Sequence, residues 1–71
     1  MAEEVLAPLA GKIVKLHIEN GTEVEEDEEI LIIEAMKMET QIFAPCDGKV
    51  TKVAVKEGDE VEEDHLIAVI E

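Results

Sequence analysis

The sequence predicts an all-β domain of two similar halves that share one hydrophobic core. Three observations predict it: an ungapped internal repeat, short runs rich in Val and Ile, and no segment of helical periodicity. The chain has 71 residues, so we take residues 1–71 as a single small domain. Since copies this short cannot each bury a core, we expect two sheets packed around a pseudo-two-fold axis.

The repeat covers nearly the whole chain at a constant displacement. Residues 7–12 read Ala-Pro-Leu-Ala-Gly-Lys, and residues 44–49 read Ala-Pro-Cys-Asp-Gly-Lys. The acidic run at residues 23–27 returns, with the same letters, at residues 60–64. Each copy is therefore expected to fold as strand, turn, strand, in the same way.

The first strand of each copy is predicted by alternation. Apolar and other side chains alternate at residues 16–18 and again at residues 53–55, which is typical of a strand with one face in the core. Asn20-Gly21 and Glu57-Gly58 follow these strands. Both pairs predict turns, because glycine readily adopts a positive φ.

The second strand of each copy is a continuous apolar run, at residues 30–33 and 67–70. Such runs suit strands that are covered on both faces, and their β-branched residues disfavour helix. The acidic residues 25–29 and 60–64 lack the order of ligands and glycine found in a calcium loop, so we interpret them as solvated turns.

The segment that joins the copies, residues 35–42, has no repeat partner. Under a two-fold axis, its equivalent position is that of the chain ends, so we expect the segment and the ends to lie at opposite ends of the domain. A tight hairpin with Met36-Lys37 at its tip is the natural interpretation. Such tips favour Asn-Gly or Asp-Gly, because both positions need φ > 0. This unusual choice of residues indicates a functional role. The position at the hairpin tip holds the lysine amine away from the body of the domain.

Charge and composition exclude several classes of protein. The net charge of −13 disfavours binding to nucleic acid and to anionic membrane surfaces, and would suit a partner with a basic face. No apolar run is long enough to span a membrane, and we find no secretory signal. Cys46 is the single cysteine, so we expect no internal disulfide and a cytoplasmic location. We expect no metal site, since His17 and His65 lack further ligands at suitable spacing.

The residues Glu34-Ala35-Met36-Lys37-Met38 resemble the attachment motif of biotinyl domains. Residues 44–50, Ala-Pro-Cys-Asp-Gly-Lys-Val, are similar to the Ala-Pro-x-x-Gly-x-Val element of the same family. The resemblance extends from Ala7 to Glu71 without gaps. It implies a flattened β-barrel or sandwich of two four-stranded sheets with pseudo-two-fold symmetry, with the lysine on a hairpin between the halves.

The resemblance also implies a function. Biotin would be attached covalently to Lys37 by a biotin protein ligase, with Glu34, Ala35, Met36 and Met38 as flanking recognition residues. The attached group would carry CO2 from a biotin carboxylase to a carboxyltransferase or decarboxylase. The domain itself would be a carrier with no catalytic residues.

Two alternatives share this fold. A lipoyl carrier domain of a 2-oxo acid dehydrogenase-type complex also presents a lysine on the hairpin, but its usual flank is Asp-Lys-Ala in place of Met-Lys-Met. The unmodified hairpin domains of membrane-fusion adaptors lack the tip lysine.

This chain also departs from the biotinyl pattern at Asp27 and Asp64, where the family often has glycine. Because Asp tolerates left-handed geometry, we expect the turns to be kept.

Overall fold

The computed structural model describes residues 2–71, and all regular structure in this range is β. The strands are β1 (Glu3–Leu6), β2 (Gly11–Leu16), β3 (Glu23–Val24), β4 (Glu29–Ala35), β5 (Met38–Phe43), β6 (Gly48–Val53), β7 (Glu60–Val61) and β8 (Leu66–Ile70). They form two four-stranded antiparallel sheets, in the orders β1-β8-β6-β3 and β5-β4-β2-β7. Residues 2–71 contain no helix that could cross a membrane. The predicted all-β fold is confirmed.

The two sheets are related by the internal repeat, but neither sheet belongs to one copy. Each combines two strands from the first half of the chain with two from the second. The pairing registers correspond as well: Ile13 pairs with Ile33 where β2 meets β4, and Val50 pairs with Ile70 where β6 meets β8. The halves are therefore interlocked, which explains how two short copies share one core.

The core is a single cluster of aliphatic side chains between the sheets. Its largest fully buried members come from both halves: Ile13, Ile30, Leu31, Ile33, Val50, Ile67 and Ile70. No charged or polar side chain is buried in the described part of the chain. Burial of these apolar groups is the main source of stability in a domain of this size.

Backbone hydrogen bonds hold each half to the other. The amide of Gly21 donates to the carbonyl of Val50 over 2.7 Å, and the equivalent amide of Gly58 donates to the carbonyl of Ile13 over 2.8 Å. Side chains repeat the pattern, since the amide of Val53 donates to Asn20 Oδ1 and the amide of Leu16 donates to Glu57 Oε2. The turns that the sequence predicts thus also connect the two halves.

The left-handed turn residues match the sequence-based expectation. Gly21 and Gly58 both have φ of 94°, and Asp27 and Asp64 both have φ of 69°. Aspartate therefore keeps the turn at the two positions where the biotinyl pattern often has glycine.

Two details of the predicted strands and turns need correction. The expected alternating strands begin earlier and end at Leu16 and Val53, so that Ile18 and Val55 follow them as buried residues. The acidic residues 60–64 are not all turn, because Glu60–Val61 form β7 and Val61 pairs with Gly11. A strand of two residues has no periodicity that sequence could reveal.

The continuous apolar runs are not covered on both faces. Ile30, Leu31 and Ile33 are fully buried, but Ile32 is only half-buried. The register between β4 and β5 shifts between Glu29 and Leu31, as at a β-bulge, and Ile30 is the extra residue. A bulge lets two consecutive side chains point into the same core. The bulge therefore explains the continuous apolar run without a second layer of structure over the outer face of the sheet.

The joining segment is also shorter than predicted. Strand β5 lies at the edge of its sheet as β1 does in the other, and Ile42 pairs with Leu31 where Val5 pairs with Ala68. Residues 40–43 of β5 therefore have an equivalent in β1, whereas the hairpin tip and the first two residues of β5 have no equivalent strand among residues 2–71. An apolar pair before each Ala-Pro element, Val5-Leu6 and Ile42-Phe43, was the signal in the sequence. The expected position of the tip at the opposite end from the chain ends stays a prediction of the symmetry.

Alanine at Gly21 or Gly58 should destabilise the domain by the same amount. An added Cβ meets no atom within 4 Å at either glycine, so the penalty comes from the positive φ alone. We expect a loss of about 1–2 kcal/mol in the free energy of unfolding for each variant, measured by urea denaturation. If alanine causes no loss of stability, the positive φ carries no penalty at these positions. Very unequal losses would contradict the symmetry of the two turns.

Candidate functional site

The hairpin between β4 and β5 carries the predicted site. Ala35 pairs with Met38, which leaves Met36 and Lys37 as the two turn residues. Their φ angles are 53° and 66°, and a type I′ turn requires positive φ at both positions. The hairpin inferred from sequence is therefore present, with two residues at its tip that are unfavourable in left-handed geometry.

The tip is fully accessible to a partner. Met36 is 95% exposed and Met38 is 71% exposed, so neither side chain fills the core. Lys37 is also exposed. Two exposed methionines beside a lysine form a flexible apolar surface, of the kind that partners can contact without charge complementarity.

The side chain of Lys37 has no polar partner within the part of the chain that the structure describes. No hydrogen bond or ion pair in residues 2–71 involves its amine. The two glutamates of the motif region face each other across the strands, since Glu34 pairs with Glu39. Directly opposed like charges disfavour strand pairing, and these two carboxylates lie on the two strands that lead to Lys37.

The remaining residues predicted for the site lie at the hairpin base. Glu34 is exposed and pairs with Lys12 of β2 on its other side, while Ala35 is half-buried. The structure thus brings all five predicted residues, Glu34 to Met38, onto one hairpin. The contact between Gly11 and this base was not inferred from the sequence. The one signal for it is that glycine stands at the equivalent position of both copies, as Gly11 and Gly48.

The other lysines differ from Lys37 in their setting. Lys12 and Lys15 lie in β2, Lys49 and Lys52 lie in β6, and Lys56 follows β6 just before the turn at Gly58. None of these five lies at a hairpin tip between paired strands. Lys37 therefore differs from the other lysines in its position at a hairpin tip.

His17 and Cys46 have ordinary structural settings. His17 Nε2 lies 2.6 Å from Glu29 Oε2 in an exposed pair. Cys46 is free and partly buried, and it packs against the core cluster. Within residues 2–71, no three His, Cys, Asp or Glu side chains are grouped so that they could hold a metal ion.

Comparison with known families gives a match over almost the whole chain. The family described as "Biotin-requiring enzyme", which includes biotin and lipoyl attachment domains, matches residues 3–70. Among curated relatives, the alpha subunit of mitochondrial methylcrotonoyl-CoA carboxylase from Glycine max is 57% identical over 35 residues, or 49% of this chain. The gamma subunit of methylmalonyl-CoA decarboxylase from Veillonella parvula is 46% identical over 41 residues, or 58% of this chain. The aligned part spans 5% of the first relative and 32% of the second.

Solved structures give the same fold. Urea carboxylase from Kluyveromyces lactis superposes with a TM-score of 0.88 and 40% identity, covering 99% of this chain and 6% of that one. The lipoyl domain of the 2-oxoglutarate dehydrogenase complex from Azotobacter vinelandii superposes with a TM-score of 0.81 and 27% identity, covering 96% of this chain and 94% of that domain. The flattened two-sheet barrel expected from the resemblance is therefore confirmed.

Proposed function

This chain belongs to the family of biotin and lipoyl attachment domains, and from that premise we propose that it is a carboxyl carrier with biotin attached to Lys37. It would carry CO2 between the active site of a biotin carboxylase and that of a carboxyltransferase or decarboxylase. The domain would perform no catalysis of its own. Whole-chain similarity to the family supports a carrier role, and the finer assignment depends on the hairpin.

The observation that carries this proposal is the position of Lys37. Its amine stands on an exposed two-residue turn and has no internal partner among the described residues. An attachment site needs an accessible amine on a rigid support, so that a ligase can reach it and the attached arm can enter other active sites. The paired strands β4 and β5 provide that support.

Biotin is favoured over lipoate by the residues that flank the lysine. Met36 and Met38 are largely exposed, and the lipoyl flank of Asp and Ala is absent. The names of the relatives also favour biotin, since they include a CoA-ester carboxylase, a decarboxylase and a urea carboxylase. The fold alone does not separate the two, because a lipoyl domain superposes closely.

The chemistry asked of Lys37 is the formation of an amide. Its neutral amine attacks the carbonyl carbon of biotinyl-adenylate, a C–N bond forms, and the bond to the phosphate oxygen of AMP breaks. A proton leaves the nitrogen in the same process. We assign the removal of this proton to the ligase. Once attached, biotin supplies a ureido nitrogen that can carry a carboxyl group.

The other parts of the proposal follow from the carrier role. Partners are a biotin protein ligase, a biotin carboxylase, and a carboxyltransferase or decarboxylase. Tethering would keep the carried group at high local concentration near both active sites. The net charge of −13 favours partners with basic docking faces. A cytoplasmic location remains part of the proposal.

A pair of labelling reactions tests the assignment of biotin. The unmodified domain is incubated with ATP and biotin plus a biotin protein ligase, or with ATP and lipoate plus a lipoate–protein ligase. We expect the intact mass to rise by one biotinyl group in the first reaction and to stay unchanged in the second. A well-characterised lipoyl domain is the matched control and should show the reverse. A lipoyl adduct on this domain, or no biotin adduct, would contradict the proposed function.

A further inference from the structure

Gly11 lies directly against the base of the lysine hairpin. A Cβ built at this residue would come within 2.6 Å of the carbonyl oxygen of Glu34 and of Ile33 Cγ2, and 3.2 Å from Ala35 Cβ. The backbone of Gly11 lies outside the left-handed region. Glycine is therefore needed here for space and not for its backbone conformation.

The main obstacle to a side chain is a backbone atom. A rotamer change could move Ile33 Cγ2, but the Glu34 carbonyl can move only with strand β4. Restoring an ordinary contact of 3.4 Å from 2.6 Å requires a displacement of about 0.8 Å. Glu34 and Ala35 are the last residues of β4 before the turn. A displacement of the Glu34 backbone would therefore also move Lys37, which follows closely in the chain.

The pseudo-two-fold axis provides an internal control for this contact. At Gly48, the equivalent glycine of the second half, an added Cβ would come within 2.6 Å of Ile70 Cγ2 and 2.7 Å of the Glu71 carbonyl oxygen. The two glycines thus meet the same steric demand in the same fold. They differ in the strand against which each packs, because β4 leads into the Lys37 hairpin and β8 does not.

We propose that Gly11 is a positioning residue for Lys37, which lets the hairpin base pack closely on β2 and so sets where the lysine amine stands relative to the domain body. The inference rests on the proposed function. A ligase that binds the domain body must find the amine at a fixed place, and a misplacement near 1 Å can lower the rate of a positioned reaction by about 10²-fold. Gly48 serves as the comparison, because the strand against which it packs, β8, does not lead into the Lys37 hairpin.

The test compares Gly11→Ala with Gly48→Ala in the unmodified full chain. Both variants are assayed with a biotin protein ligase at a temperature where their unfolding curves show them fully folded. We expect kcat/KM for the domain to fall by about ten-fold or more in Gly11→Ala, mainly through kcat. Gly48→Ala should stay within about two-fold of the wild-type chain. Amide NMR shifts of Met36, Lys37 and Met38 should change in Gly11→Ala only.

Each outcome has a distinct meaning. Equal labelling of the two variants, or hairpin NMR shifts that do not change in Gly11→Ala, would overturn the positioning role while leaving biotinylation of the wild type intact. Failure of the wild-type chain to accept biotin would overturn the proposed function instead. If Gly11→Ala does not fold in buffer alone, the wild-type chain and both variants are assayed in a stabilising osmolyte such as sucrose, and the same criteria apply.

Discussion

Replacing Lys37 with arginine is expected to abolish biotinylation and to leave the fold unchanged. The side chain is exposed and has no internal partner in residues 2–71, so the positive charge can be kept without disturbing any contact. A guanidinium stays protonated at neutral pH and is a poor nucleophile. Intact mass after incubation with a biotin protein ligase measures the loss, and the unfolding midpoint measures the fold.

Lys56→Arg is the matched control for this substitution. Lys56 is also exposed and also lies outside the strands, just before the turn at Gly58. We expect one biotinyl group on Lys56→Arg, as on the wild-type chain, and peptide mapping should place it on Lys37. Biotin on Lys37→Arg, or on any other lysine of the wild-type chain, would contradict the assignment of the site.

Exchanging the two turn residues tests whether position matters as well as chemistry. The double variant Met36→Lys/Lys37→Met keeps the composition, the charge and the length of the hairpin. Neighbouring side chains on a hairpin point in different directions, so the amine would leave the place that the ligase requires. We expect labelling to be lost. Full labelling of the exchanged variant would show that the ligase needs only an exposed lysine and would weaken the case for Gly11 as well.

The sequence predicted the hairpin and the fold class because both depend on local and repeated signals. The constant displacement between the Ala-Pro elements required two equivalent halves, and the unmatched Met36-Lys37 then had to lie away from them. The left-handed turns at Asp27 and Asp64 were predictable from the resemblance to biotinyl domains, which often have glycine there, because Asp tolerates left-handed geometry.

Other features depend on contacts between distant residues, and the sequence did not reveal them. The bulge at Ile30 lets a continuous apolar run pack on one face, and it is indistinguishable in sequence from a strand covered on both faces. Strand β7 exists because Val61 pairs with Gly11, far away along the chain. The steric role of Gly11 likewise depends on how closely β4 approaches β2.

Truncation of the buried isoleucines should produce the largest change in stability. Ile30 and Ile67 are equivalent residues of the two halves, both are fully buried, and each is the extra residue where its strand's register shifts. Replacing a buried Ile with Ala costs about 2–5 kcal/mol through lost burial and the cavity left behind. At about 0.05–0.15 kcal/mol per residue, a domain of 71 residues would lose a large share of its stability.

We therefore expect Ile30→Ala and Ile67→Ala to lower the unfolding midpoint temperature by about 10 °C or more, and by similar amounts. Ile32→Ala is the control within the same apolar run, because Ile32 is half-buried on the outer face of the sheet. Its loss in the free energy of unfolding should be clearly smaller when all three are compared by urea denaturation. An equal loss at Ile32 would mean that the outer face is covered after all, and the bulge at Ile30 would then not explain the continuous run. Very unequal losses at Ile30 and Ile67 would mean that the two halves do not contribute equally to the shared core.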